Sequence, residues 1–335
     1  MQIRDVAARL GITTRTVRFY EQKGLIRPAK DRENGYRRFT EQEVWRLQTI
    51  VALREAGLGL AETAAALARL EADEGDELIG LLELQRSAMY ARWLEWKQQI
   101  ETTERLIALL RDTGSLAADE LTALAEGSRR LREARSGWVD RWDYDGRAAS
   151  HEAETLSAAP AEGAERIRRH YEEALARLSG RIRPRPGERG IDLGAGTGNL
   201  AGRLQALGAR MAAVDQSREM LKRCAARHPD IETRQGNFVS VPYPDAQFDF
   251  AVSSFAFRHL DEAQQALALS EQRRVLKPGG RLAFADLTAA CGKQREAGAP
   301  VSLESLRKAL SAQGFAYEIE RVGDGVSLIY AETVS

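Results

Sequence analysis

The stretch from Gly190 to Leu200, GIDLGAGTGNL, constrains the fold more than any other part of the chain. An apolar run enters a turn with glycines at 194, 196 and 198, and the turn opens a helix. A strand, a glycine turn and a helix in that order form the first unit of a parallel α/β sheet. Later apolar runs, MAAV, FDFAVSS and RLAFADL, repeat the alternation with helical stretches. AYEIERV and VSLIYAE, near Gly323 and Gly325, predict a terminal hairpin at one sheet edge.

The turn also restricts the ligand. A dinucleotide fingerprint would need glycine at 199, where the chain has Asn199. No G-K-[ST] follows, which excludes a P-loop. What remains is a close backbone approach without a phosphate grip, suited to a ligand with an amino acid and a nucleoside. The second strand ends in Val214-Asp215, and an acid there is placed to take two ribose hydroxyls. After the third strand, Asn237 offers an amide to an adenine edge and Phe238 a ring beside its face; Met220 packs on the adenine or is plain core.

The stretch GERGIDLGAGTGNLAGRL…AAVDQSREML…QGNFVSVPYPDAQFDFAVSSFAFRHL…RVLKPGGRLAFADL resembles small-molecule class I S-adenosylmethionine-dependent methyltransferases over roughly 136–335. The resemblance implies a Rossmann-like α/β domain that binds S-adenosylmethionine or S-adenosylhomocysteine without metal. By position it implies cofactor contacts from Asp192, Gly194, Ala195, Gly196, Gly198 and Asn199 around the turn. Asp215, Gln216 and Met220 would follow from the second strand and helix, and Asn237, Phe238 and Ser254 from the next two strands. Asn237 departs from the more common Asp. Upstream, GWVDRWDYD resembles the aromatic segment that covers the methionine end, with Tyr144 as its candidate.

Catalysis is less legible. Strand four is followed by Ser253-Ser254-Phe255-Ala256, not the Asn/Asp-Pro-Pro-aromatic turn of amino-methyltransferases of DNA bases, and no cysteine follows a proline. DNA methylation is therefore not implied. Among His151, His170, His228 and His259 there is no metal spacing. His259 is the best-placed general base for a small-molecule acceptor, with a helix-start structural role as the alternative.

The first forty residues carry ten cations and four anions, a net +6 in a chain whose formal charge is zero. A basic end on a neutral chain suits a polyanion partner for that end. QIRDVAARLGI has the apolar spacing of a short helix; Gly11 ends it, Thr13 caps a second, and Gly24 closes that one. A helix-turn-helix so built places Thr14, Arg15, Thr16 and Arg18 at base edges, with Val17 inward. Asn34-Gly35 predicts a hairpin whose returning strand, Tyr36-Arg37-Arg38, forms a wing against phosphates. Thr40 and Glu43 form a capping box for a third helix.

That order of elements, with TVRFYEQKGL and GYRRF, closely resembles the winged-helix domain of MerR-family transcription regulators over roughly 2–70. The resemblance implies a homodimer on double-stranded promoter DNA, acting with RNA polymerase. It carries DNA contact to Arg15, Arg18, Tyr20, Tyr36 and Arg37, with Tyr20 open between DNA contact and core.

Met89, Trp93, Trp96, Ile100, Thr103, Ile107 and Leu110 follow spacings of four and three, a heptad seam that must be covered by a second copy or by the chain's own C-terminal domain; the MerR resemblance implies the second copy, a coiled-coil dimer. Residues 111–135 read as connecting helices interrupted by Gly114 and Gly127. The expected architecture is multidomain: a winged helix-turn-helix at 1–75, a dimerisation helix at 76–112, a helical linker at 113–135 and a methyltransferase fold at 136–335. No apolar run approaches the roughly 18–20 residues of a membrane span, and the two cysteines have no metal or redox spacing, which suits the cytoplasm. Two functions are carried forward: a regulator that senses its ligand, and an active small-molecule methyltransferase tied to its own expression.

Overall fold

The computed structural model describes residues 1–30, 36–72, 74–113, 118–136, 144–147, 161–289, 298–323 and 325–333. They form two compact units, Met1–Gln85 and Arg86–Ser335.

In the first unit, α1 (Ile3–Arg9) and α2 (Thr14–Gln22) meet at Gly11, whose φ of 65° suits glycine alone. The Thr13 hydroxyl accepts the Thr16 N–H at 3.0 Å, and Gly24 closes α2 at φ 74°. Strands β1 (Ala29–Lys30) and β2 (Arg37–Arg38) pair antiparallel, forming the expected wing; its Asn34-Gly35 tip lies outside the described residues. Thr40 and Glu43 cap α3 (Glu41–Glu55) reciprocally, and α4 (Leu60–Glu71) follows. Val6, Val17, Tyr20, Ile26, Phe39 and Leu47 form the core, and Leu78, Leu81 and Leu82 of α5 (Gly75–Thr113) pack against it.

From Arg86 onward α5 belongs to the second unit. Most of the predicted seam is exposed: Met89, Trp96, Ile100, Thr103, Ile107 and Leu110. Trp93 departs from it. Its ring is half-buried beside Tyr90, Lys97 and the guanidinium of Arg274, because a cation on an aromatic face is favourable. Nor does Gly127 interrupt a helix, since it lies within α6 (Ala118–Ser136), where no neighbour crowds it. Ala134 of α6 packs with Val239 and Leu267.

After α7 (Tyr144–Arg147) and α8 (Ala161–Ile182), the sheet begins with β3 (Arg189–Leu193), α9 (Asn199–Ala206), β4 (Arg210–Asp215), α10 (Arg218–Arg227) and β5 (Glu232–Gln235). It continues with β6 (Phe248–Ser254), a 3₁₀ turn (Phe257–His259), α11 (Glu262–Val275) and β7 (Leu276–Ala289). β8 (Val301–Ser302), α12 (Leu303–Ala312), β9 (Phe315–Gly323) and β10 (Val326–Thr333) complete it. The eight strands take the order β5-β4-β3-β6-β7-β10-β9, with β8 beside β7. The first five in that order are parallel, and the β9–β10 hairpin is antiparallel at one edge, as expected. Helices cover both faces: Leu175, Leu178, Leu204 and Leu221 on one, Leu269, Leu306 and Leu310 on the other. β3 sits where the strand order reverses, so the glycine turn at its carboxyl end occupies the switch point of the sheet.

Candidate functional site

The turn leans on its neighbour strand: Gly194 N–H and Ala195 N–H both donate to the Val214 carbonyl, at 2.8 and 3.2 Å. Gly194, Gly196 and Gly198 have φ of 68°, 54° and 85°, a region costly for a side chain. The protein's own packing also demands glycine at 194 and 198. A β-carbon at Gly194 would lie 2.5 Å from that of Ala256, and one at Gly198 would lie 2.5 Å from Cys224 Sγ.

Two carboxylates bracket the turn. Asp215 accepts the Gly196 N–H at 2.8 Å through one oxygen and the Ser217 N–H at 2.9 Å through the other. Asp192 lies beneath, 1% exposed, and its Oδ2 accepts the Ala201 N–H at 3.1 Å. Its buried Oδ1 has no hydrogen-bond partner among the described residues. Burial pushes the Asp192 carboxyl well above the ordinary range; the Ala201 N–H opposes the shift, and Asp215 adds to it.

The opposite wall follows β4 and β5. The Gln216 carbonyl accepts from the Gln235 amide at 2.9 Å, while Gln216 Oε1 is buried without a partner among the described residues. Asn237 Oδ1 accepts the Val239 N–H at 3.1 Å, so the oxygen expected to meet an adenine amino group keeps one lone pair for it. Phe238 and Met220 are both buried, Met220 as its plain-core alternative has it. At 5% and 1% exposed they have almost no surface to offer; the Phe238 ring lies under Gly194 and meets Phe257 edge-on at 6.1 Å.

Asn199 has a use that the sequence did not show. Its amide donates to the Tyr171 hydroxyl at 3.1 Å, its oxygen accepts from Arg227 at 2.9 Å, and the Tyr171 ring stacks on Phe255 at 5.5 Å. Burial raises the Tyr171 phenol above its ordinary value. Phe255 has φ of 54°, strained for a non-glycine residue at the carboxyl end of a strand. A buried pair holds it: Arg258 donates to the Phe255 carbonyl and meets Asp286 at 3.3 Å, and Asp286 accepts the Arg258 N–H at 2.9 Å. Ser254 precedes this turn, half-buried. His259 ends it, and burial, helped by Arg258, holds its imidazole well below the ordinary range, so it is neutral at pH 7.

The side chain of Tyr144 lies outside the described residues, as does Cys291. The adjacent Asp145 accepts the Ser217 hydroxyl at 2.6 Å and the Glu219 N–H at 3.2 Å, so α7 caps α10. No group of metal-binding side chains occurs among the described residues.

On the first unit, Arg15 and Arg18 are exposed on α2, and Thr14 and Thr16, on either side of Arg15, are half-buried. Tyr36 is 69% exposed and Arg38 is exposed beside it. Arg37 donates to Glu21 at 2.6 Å, tying the wing to α2. Tyr20 is core, 7% exposed; the aromatic on the open face of α2 is its neighbour Phe19, under Lys23.

A winged helix-turn-helix precedes an α/β domain whose glycine turn suits a nucleoside-bearing ligand, which makes the chain a two-part protein. Residues 1–70 match the MerR HTH family of regulatory proteins, and residues 191–284 match the methyltransferase domain family. The chain thus joins a MerR-type helix-turn-helix to a methyltransferase domain. Demethylmenaquinone methyltransferase of Corynebacterium kroppenstedtii is 39% identical over 108 residues, 32% of this chain and 45% of that protein. Its counterpart in Renibacterium salmoninarum is 39% identical over 103 residues, 31% of this chain and 43% of that protein. The chain therefore spans less than half the length of these relatives. Among solved structures, a SAM-dependent methyltransferase from Aquifex aeolicus superimposes with a TM-score of 0.42 at 22% identity, over 48% of this chain and 89% of that one. No helix among the described residues is long and apolar enough to cross a membrane.

Proposed function

We propose that the protein is a cytoplasmic MerR-type transcriptional regulator whose methyltransferase-fold domain binds S-adenosylmethionine or S-adenosylhomocysteine as effector or cosubstrate. The observation that carries this reading is the buried, unpartnered Oδ1 of Asp192 beneath a turn of three left-handed glycines. Such an oxygen is costly unless a donor reaches it, and the ammonium of the ligand's methionine end is that donor. Gly194, Ala195, Gly196 and Gly198 admit the ligand backbone, while the Asp215 carboxylate at the end of β4 takes the ribose hydroxyls. Asn237, Gln216 and Ser254 meet the base and the open side, and Asn199 acts through Tyr171. The bound cofactor would supply a sulfonium methyl group.

On promoter DNA, Thr14, Arg15, Thr16 and Arg18 read the groove, while Tyr36, Arg37 and Arg38 rest on phosphates. The exposed apolar face of α5 is covered by the same face of a second copy, so the DNA-bound species is a homodimer that presents the promoter to RNA polymerase. Ligand binding regulates it only by favouring one DNA-bound state over another.

A second reading is an active methyltransferase of a small molecule. It is supported by the relatives, which are named demethylmenaquinone methyltransferases. His259, neutral at pH 7, is then the candidate base.

The test is calorimetric titration of the purified protein with S-adenosylmethionine and with S-adenosylhomocysteine, with and without DNA from upstream of its own gene. Binding that changes with DNA supports the sensor. Equal binding with and without DNA favours the enzyme, and no binding ends both readings.

A further inference from the structure

The loop from Asn237 to Asp245 has one end in the ligand wall and the other against α5. At its start, Asn237 Oδ1 holds the Val239 N–H, and Asn237 and Ser240 form an isolated antiparallel bridge. Its middle is fastened to α11: Glu271 accepts the Val241 N–H at 3.1 Å, and Arg274 donates to the Val241 and Tyr243 carbonyls at 3.0 and 2.7 Å. Glu271 also accepts twice from Arg274, at 2.9 and 2.8 Å, so the guanidinium is fixed in position.

The far end meets α5. Asp245 accepts from Arg274 at 3.0 Å and from Lys97 at 2.5 Å. The Arg274 guanidinium also lies 5.3 Å from the Trp93 ring centroid, and Lys97 Nζ lies 5.6 Å from it. Two cations that share the Asp245 carboxylate thus both lie near one aromatic ring of α5.

We propose that this loop is a strap that transmits occupancy of the nucleotide site to α5 through Arg274, Asp245 and Trp93. The proposal rests on the reading that an adenine edge meets Asn237. A loop hydrogen-bonded at Val239, Val241, Tyr243 and Asp245 has little freedom to absorb a shift of Asn237, so the shift is delivered to its fastenings. The receiving element is the helix whose first turns pack in the core of the helix-turn-helix unit. Contact alone is not coupling; coupling requires that occupancy change the state of α5.

The probe is S-adenosylhomocysteine on the full-length protein, with binding established by calorimetry and amide hydrogen exchange read along the chain. Saturation is expected to slow exchange in 237–247 and also in 90–98 of α5. In the double variant Trp93→Leu with Lys97→Gln, both residues remote from the ligand wall, binding and the slowing in 237–247 persist while the slowing in 90–98 is lost. Bound ligand with 90–98 unchanged in the unmodified protein overturns the strap, as does unaltered slowing in the double variant. Absence of any binding instead fails the nucleotide-site reading on which the strap depends.

Discussion

The carboxylate of Asp215 accepts the backbone N–H of Gly196 at 2.8 Å. The last residue of β4 thereby sets the shape of the turn that follows β3. Removing it loses more than a ligand contact. Asp215→Ala is expected to weaken S-adenosylhomocysteine binding by about 1.5–3 kcal/mol, the scale for hydrogen bonds to a charged group. Calorimetry checks it, and unchanged affinity would place the ribose elsewhere.

Gly198→Ala puts a β-carbon against Cys224 Sγ at a φ of 85°. The left-handed conformation alone costs roughly 1–2 kcal/mol. We expect a lower melting temperature together with loss of ligand binding. A variant that binds and melts like the parent would show that the turn has an alternative shape.

Asp192 links the site to pH. Its carboxyl is raised in the folded chain, so its stabilising contribution is present below the ordinary carboxyl pKa and is lost as pH rises through the raised value. Asn cannot ionise, so Asp192→Asn should flatten the stability profile over that window, leaving the free protein at least as stable at pH 7. Ligand affinity should fall, because the ammonium loses its charged partner. Urea melts over a pH series that rises from the ordinary carboxyl range test the first part, the parent losing stability along it and the Asn variant staying flat. Calorimetry tests the second, and an affinity equal to the parent's would remove Asp192 from the site.

Arg18→Ala should weaken binding to the upstream DNA and leave ligand affinity intact. If Arg18 contacts a phosphate, the slope of log affinity against log salt shrinks by about one. If it contacts a base, the loss depends on sequence instead. Equal DNA affinity would take Arg18 out of the interface.

Ile100→Glu places a charge on the exposed apolar face of α5, where Ile100 is 60% exposed. The expected result is a monomer by light scattering, with the melting temperature of each unit little changed. A dimer that survives would locate the self-contact elsewhere.

Local features were the legible ones. The Thr13 cap, the Thr40–Glu43 box, the glycine turn and the alternating strands are each encoded within a few neighbouring residues, and each formed where expected. Contacts between distant segments were not. Nothing near Tyr171 marks it as a partner of Asn199, because α8 must first lie across the sheet. The Arg258–Asp286 pair behind Phe255 joins a turn to a strand that follows a whole helix later. Heptad spacing shows that side chains share a face and not what the face meets, so Trp93 was grouped with residues whose surroundings it does not share. Phe238 was placed beside a ligand by position alone, and burial puts it under the wall; for Met220 the sequence left ligand and core open, and it is buried.

The β9 edge has a consequence for handling the protein at high concentration. Its outer positions alternate Glu318 and Glu320 with half-buried Tyr317 and Ile319, and Arg181 and Arg177 of α8 bridge to the two acids. At the other edge β5 is only four residues long and reads Glu-Thr-Arg-Gln. A stray strand seeking a ladder would meet fixed charge on one side and too short a template on the other. Growth of the sheet into fibrils or amorphous precipitate is thereby disfavoured, whereas the exposed apolar face of α5 offers a route to self-association.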